Sequence, residues 1–124
     1  MRMRLLAAVA ALTLTAAGAA HAAGDPVAGK GVFARCAACH VAVRNGGNGL
    51  GPNLFGVVGR KAGSLPNYSY SGALKSSGIV WTPDKLTIWV GGPQKLVPGT
   101  KMAFGGISNA HQIDDVVAYL QTLR

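Results

Sequence analysis

The sequence predicts an all-α domain with three main helices and irregular loops between them. Three segments open with helix-start signals. Asp25 and Thr82 each precede a proline suited to the first helical position, and Asn109 precedes the third segment. The segments that separate these helices show no sustained strand period. Neither an internal repeat nor a second domain is visible, so we expect one all-α unit.

The first helix should run from Asp25 towards Cys36, with Gly29 and Phe33 on one face. Glycine inside a helix costs about 1 kcal/mol relative to alanine. A close crossing of another helix at Gly29 would offset that cost, and the alternative is a glycine that is merely tolerated there.

The second main helix should run from Pro83 to about Val90, where Gly91-Gly92-Pro93 stops it, and a short helix should precede it over 71–76. Residues 95–104 are expected to form an extended loop. The side chains spaced to share the buried face of the second helix are Leu86, Trp89 and Val90.

The last helix begins after Asn109, which can form a capping box with Gln112. Its apolar residues recur at helical spacing, which predicts an amphipathic helix packed on the core. These residues are Ile113, Val116, Val117 and Leu120.

Residues 1–22 have the pattern of a secretory signal peptide. Two arginines precede an apolar run over 5–17, and Ala20-His21-Ala22 places small residues before a cleavage site. We therefore expect a mature domain of residues 23–124 in the periplasm. The alternative is an uncleaved membrane anchor, which the short, alanine-rich run disfavours.

The chain is basic, with 12 Lys and Arg residues against 4 acids and a net charge of +8. Loss of the leader removes Arg2 and Arg4 and leaves +6. Basic chains bind nucleic acid or acidic proteins, and export argues against nucleic acid. The mature domain is small for a self-sufficient core, and such domains often need a covalent or metal staple.

Both cysteines of the chain lie in Cys36-Ala-Ala-Cys39-His40, the attachment signature of a c-type haem. Thiols one helical turn apart can form thioethers to the two vinyl groups of a haem edge, and the following histidine can bind the iron. A redox Cys-x-x-Cys, a structural zinc and a plain disulfide are the alternatives. The absence of a βαβ pattern disfavours a redox motif, and the mature chain has too few further ligands for a structural zinc. A plain disulfide would leave the histidine unexplained.

A glycine-rich loop follows the motif over 41–53. The Pro52 carbonyl in this loop can accept the other ring N–H of His40 and so fix the orientation of the ring.

Beyond this motif, the chain resembles the class I cytochromes c, close to the mitochondrial and short bacterial cytochrome c2 type. The blocks that match in order are Gly51-Pro-Asn-Leu54, Gly59-Arg60-Lys61, Tyr68-Ser-Tyr70, Gly78-Ile-Val-Trp81 and Pro98-Gly-Thr-Lys-Met102. The resemblance implies a fold wrapped around one haem c, covalently bound through Cys36 and Cys39, with His40 and Met102 as the axial ligands.

The resemblance also implies that Arg60, Tyr70 and Trp81 surround a buried haem propionate and that Pro52 supports His40. Two positions depart from the family pattern: Trp89 replaces a tyrosine and Leu74 replaces an asparagine that is frequent there. Both changes remove polar partners near the iron, so the reduction potential of the family should not be carried over.

Met102 is the only methionine left after the leader is removed, and its other interpretation is core filler. A thioether opposite an imidazole raises the iron potential because it favours the ferrous state. His111 is the rival ligand, but its place in the first turn of a helix beside acids indicates a solvent-facing residue.

These patterns favour a soluble periplasmic one-electron carrier that is monomeric, without stable membrane insertion, and not an enzyme. The expected partners are membrane redox complexes: quinol–cytochrome c reductase as donor and a terminal oxidase or photosynthetic reaction centre as acceptor. A haem enzyme or gas sensor with a labile methionine ligand, and a membrane-tethered redox module, are the alternatives.

A basic rim around the haem edge is expected to meet acidic surfaces on these partners. Its candidate residues are Lys30, Arg35, Lys61, Lys95 and Lys101. The rim is thinner than in mitochondrial proteins, because Gly49 and Gln94 occupy positions that are often basic there.

The cleavage site makes a prediction about processing. Intact-mass measurement of periplasmic material should show a chain that starts at Ala23 and carries one haem. A species that keeps 5–17 and remains in the membrane fraction would rule out the soluble carrier.

Overall fold

The computed structural model describes residues 24–124, and the predicted leader lies outside them. Helices account for the regular structure of this part, and the only β pairing in it is an antiparallel bridge between Lys61 and Val80. The all-α prediction is confirmed. The helices are α1 (Pro26–Val32), α2 (Ala34–Ala37), α3 (Gly72–Lys75), α4 (Pro83–Gly91), α5 (Pro93–Leu96) and α6 (Ala110–Gln121). Within 24–124, no helix combines the length and apolar character needed to cross a membrane.

The predicted N-caps are present at the three main helices. The side chain of Asp25 accepts from the Val27 amide at 2.9 Å, and that of Asn109 accepts from the Gln112 amide at 3.1 Å. At the start of α4, the Thr82 side chain accepts from the Lys85 amide at 3.2 Å. Each cap satisfies a backbone N–H that has no partner inside the helix, which explains why the helices begin there.

The first predicted helix is interrupted at Phe33, which separates α1 from α2. The chain keeps its helical direction, since the Ala37 amide still donates to the Phe33 carbonyl at 3.0 Å. The Cys36 amide also donates to that carbonyl, at 2.8 Å. This tighter bond over three residues is the local 3₁₀ geometry that breaks the regular α-helix before the cysteines.

The segment after α4 differs from the prediction. Gly92 ends α4 as expected, but Pro93 then opens the short helix α5 instead of only stopping the one before. Proline suits this position because its missing N–H would have no partner in the first turn. The extended loop therefore begins at Val97, two residues later than predicted.

The core is formed where α1 crosses α6, with α4 packed against α6. A Cβ built on Gly29 would lie 1.8 Å from the carbonyl oxygen of Asp115, so only glycine allows the two backbones to approach this closely. The structure therefore shows the crossing at Gly29 and not a merely tolerated glycine. Val116, Val117 and Leu120 of α6 are buried, as expected from their spacing.

The crossing predicts opposite outcomes at two glycines of α1. Gly29→Ala should lower the free energy of unfolding by about 2 kcal/mol, because overpacking against rigid backbone exceeds the roughly 1 kcal/mol gained in helix propensity. Gly31→Ala is the matched control, since nothing lies within 4 Å of its added Cβ, and it should be neutral or stabilising. Denaturant unfolding of both variants measures this, and equal effects would contradict the crossing.

Candidate haem site

A cavity of about 490 Å³ opens between the helices, within the range typical of small-molecule and cofactor sites. One group of lining residues comes from α2 and the 41–53 loop, a second from residues 100–104, and others from α4 and α6. All the residues predicted for the site line this one cavity: Cys36, Cys39, His40, Pro52, Arg60, Tyr70, Trp81 and Met102.

His40 is held by its backbone and by its ring. Its amide donates to the Cys36 carbonyl at 2.9 Å, and its Nδ1 lies 2.7 Å from the Pro52 carbonyl oxygen. A carbonyl can only accept, so Nδ1 carries the proton and Nε2 keeps its lone pair. Burial lowers the pKa of the His40 imidazole, and the bond to Pro52 opposes this shift in part. The ring is therefore neutral and able to bind a metal at neutral pH.

The face of the His40 ring is fixed by Gly51. A Cβ at this position would lie 2.4 Å from Cε1 of His40, so the backbone of the loop packs directly on the imidazole. The Gly51 amide in turn donates to the Cys39 carbonyl at 2.8 Å. Packing against the His40 ring thus explains why this position of the loop is a glycine.

Asn53 closes the same loop and was not singled out by the sequence analysis. Its buried side chain donates to the carbonyls of Val43 and Gly46, at 2.8 and 2.9 Å, and accepts from the Phe55 amide. An asparagine that follows a Gly-Pro turn is a signal for such side-chain to backbone bonding. Asn53 therefore sets the shape of the loop that carries Pro52.

The two cysteines are free thiols on the cavity wall. The Cys39 amide donates to the Cys36 carbonyl at 3.1 Å, so the pair lies within one turn of chain. Burial raises the pKa of the Cys36 thiol, the nearby charge of Arg35 lowers it in part, and Cys39 raises it further. Two adjacent thiols beside a histidine are the donor set that covalent haem attachment needs.

Arg60 lies half-buried at the cavity and donates to backbone carbonyls. Its guanidinium makes two bonds to the Asn53 carbonyl and one to the Phe55 carbonyl, all at 2.9 Å. Burial lowers the pKa of Arg60, while the Tyr70 hydroxyl beside it has the opposite effect. Arginine stays charged in proteins, so this guanidinium places a fixed positive charge at the cavity wall.

Met102 lies in the loop after α5 and lines the cavity, whose lining as a whole is largely apolar. Leu74 and Trp89 are both buried there, and the Trp89 ring lies 5.0 Å from that of Trp81. His111 is exposed and does not line the cavity, which confirms that it faces solvent.

The residues present fit a haem c. Two free thiols, a neutral imidazole with an available nitrogen, a thioether and an arginine share one largely apolar cavity. The soft and nitrogen donors suit iron, and the apolar lining suits a porphyrin.

Comparison with known proteins agrees with this chemistry. The family described as Cytochrome c matches residues 26–124. Cytochrome c2 of Rhodopila globiformis is 50% identical over 102 residues, which cover 82% of this chain and 95% of that protein. Cytochrome c of Gibberella zeae is 48% identical over 101 residues, covering 81% and 95%.

A solved structure supports the fold. Cytochrome cH from Methylobacterium extorquens aligns with a TM-score of 0.74 and 50% identity, over 80% of this chain and 99% of that one. The family consists of electron carriers that bind haem c covalently, and it is not a family of enzymes. Because the match extends from α1 to the end of the chain and includes the Cys-x-x-Cys-His motif, the protein belongs to the class I cytochrome c family.

Proposed function

We propose that this protein is a periplasmic one-electron carrier in which Cys36 and Cys39 hold haem c, and His40 and Met102 bind its iron. The observation that carries the proposal is that one cavity is lined by both thiols, by the imidazole and by the only methionine of the mature chain. When bound, the haem supplies an iron that accepts and releases one electron. The chain supplies attachment, axial ligands, charge and exclusion of water.

The support of His40 is the part of this function with the clearest geometry. The 2.7 Å bond to the Pro52 carbonyl keeps the proton on Nδ1, and the Gly51 backbone limits rotation of the ring. An imidazole held in this way would move little when a bound iron changed its charge, so little reorganisation would be needed. This property suits an electron carrier.

Arg60, Tyr70 and Trp81 are proposed to surround one haem propionate. The Arg60 guanidinium is fixed by three carbonyl bonds, so its charge lies at a constant place on the cavity wall. A fixed cation offsets the cost of burying a carboxylate. Trp81 is buried and can donate only through its indole N–H.

A haem enzyme or gas sensor would need an open iron position with an acid or base beside it. Lys101 is the titratable residue of the segment 97–104, and its ammonium donates to the Ser69 carbonyl and lies over the Tyr68 ring. Because these contacts hold the ammonium at Ser69 and Tyr68, it does not serve as the acid or base, and this favours the carrier over the enzyme.

The leader and the basic surface support the rest of the proposal. After cleavage at Ala22, the domain is released into the periplasm as a monomer. It carries electrons from quinol–cytochrome c reductase to a terminal oxidase or photosynthetic reaction centre. Arg35, Lys61 and Lys101 are exposed and line the cavity, whereas Lys30 and Lys95 are exposed and do not line it. A membrane-tethered module would differ only in keeping the leader.

The sixth ligand is tested by Met102→Ala with His111→Ala as control. Loss of the thioether should lower the reduction potential by on the order of 0.1 V, within the roughly 0.8 V that axial ligands span. Ferrous Met102→Ala should also bind carbon monoxide readily. His111→Ala should match the wild type in spectrum, potential and carbon monoxide binding, because its side chain is outside the cavity lining.

A wild type that is high-spin and binds carbon monoxide at once would instead support the enzyme or sensor. A ligand change in the His111 variant alone would show that the sixth ligand is misassigned.

The basic rim predicts salt-dependent docking. Rim charges act mainly on encounter and are screened over about 8 Å at physiological salt. The second-order rate of reduction by quinol–cytochrome c reductase should fall as salt rises. Arg35→Glu and Lys61→Glu, at two exposed residues that line the cavity, should lower it about two- to tenfold at low salt.

Lys85→Glu is the control, because Lys85 is exposed on α4 and does not line the cavity. Lys101→Glu is a less clean test, since it also removes the contacts of this side chain with Ser69 and Tyr68. Rates that respond to neither salt nor the two reversals would contradict the docking proposal.

A further inference from the structure

Residues 67–69 contact two loops, one that follows His40 and one that carries Met102; we call these three residues the clasp. One loop, 41–53, leads from His40 to Pro52 and Asn53. The other, 97–104, carries Met102. Neither loop has regular secondary structure of its own, so its position depends on the side-chain contacts that hold it.

The clasp is bonded to the first loop at two points. The Tyr68 hydroxyl donates to the Leu50 carbonyl at 2.7 Å, and the Asn48 side chain donates to the Asn67 carbonyl at 3.1 Å. Leu50 directly precedes Gly51, whose backbone packs on the His40 ring. The hydroxyl of Tyr68 therefore acts one residue away from the support of the histidine.

The clasp holds the second loop through one lysine. The Lys101 ammonium lies 4.7 Å from the centre of the Tyr68 ring and donates to the Ser69 carbonyl. Lys101 directly precedes Met102. The residue before the proposed sixth ligand is thus attached to two neighbouring residues of the clasp.

Tyr68 takes part in both sets of contacts. Its hydroxyl bonds to Leu50 of the 41–53 loop, and its ring face contacts Lys101 of the 97–104 loop. The ring is itself positioned by Tyr70, whose ring meets it nearly edge-on at 4.8 Å between centroids. Tyr68 and Tyr70 both line the cavity, so these contacts form part of the cavity wall.

We propose that the clasp is a positioning device that ties the Met102 loop to the His40 loop, so that the thioether leaves its position only when the clasp opens. The clasp then sets how fast a small external ligand reaches the iron. This inference rests on the proposed function, since it takes His40 and Met102 as the ligands.

The test is the rate at which imidazole binds the ferric holoprotein, which at saturating imidazole reports the opening step. Tyr68→Phe removes only the bond to Leu50 and should raise this rate about two- to tenfold. Tyr68→Leu also removes the ring face from Lys101 and should raise the rate further. Lys101→Ala should raise it as well, and its effect should be smaller in the Tyr68→Leu background, because the two share one contact.

Tyr119→Leu is the matched control for a lost tyrosine. Its ring packs on Phe33, 5.1 Å between centroids, where α1 meets α6, away from the cavity lining. This variant should lose stability but keep the wild-type imidazole rate. If it accelerates binding as much as Tyr68→Leu does, general loss of stability explains the effect and the clasp is wrong.

A second readout does not need an external ligand. The Phe104 amide donates to the Met102 carbonyl at 3.0 Å, so its hydrogen exchange reports opening of the same loop. Tyr68→Phe should speed this exchange by a similar factor while leaving the α6 amides unchanged. This variant keeps the packing of the ring, so it remains testable if Tyr68→Leu does not fold.

Unchanged imidazole rates and exchange in the Tyr68 and Lys101 variants would overturn the clasp, provided that the ferric wild type shows the methionine–iron absorption band. A wild type without that band would instead overturn the assignment of Met102, which is the proposed function. The two failures are therefore distinct.

Discussion

The hydrogen bond from His40 to the Pro52 carbonyl is the contact on which the site is built. It joins the turn that follows α2 to the far end of a glycine-rich loop, across twelve residues, at 2.7 Å. The bond decides which ring nitrogen carries the proton, and it leaves the lone pair of Nε2 available to a metal. Much of the loop is arranged to hold this carbonyl in place, through Asn53 and through the Gly51 backbone.

The molecule divides into a helical frame and a set of loops with different sources of stability. The frame depends on the backbone contact of Gly29 with α6 and on buried aliphatic side chains. The loops depend on hydrogen bonds from side chains to carbonyls, because they have no regular backbone pairing of their own. Loops of this kind open at lower free energy than helices. Control over the iron ligands is therefore expected to lie in the loop contacts.

The same lysine can serve two purposes, and the structure separates them. Lys101 was expected to belong to a docking rim, and it is exposed and lines the cavity. Its ammonium is also attached to Ser69 and to the Tyr68 ring. A charge held at a fixed place still contributes to the long-range field, but the side chain now has a structural role as well.

The sequence alone determined the starts of the three main helices, the buried face of α6 and the haem motif, because these signals are local, whereas Met102 was expected as a ligand from the family resemblance. A capping residue acts on amides two or three positions away, and the spacing of two cysteines and a histidine is itself the attachment geometry. The crossing at Gly29 was one of two interpretations of an interior glycine, and the structure decided between them.

Only the tertiary structure decided which distant segments meet. The bonds of Arg60 to the Asn53 and Phe55 carbonyls depend on the path of the loop. The Tyr68 hydroxyl bonds to the Leu50 carbonyl, 18 positions earlier in the chain, and no local sequence pattern marks such a pair. Long-range contacts between loops carry no period, so the folded chain alone reveals them.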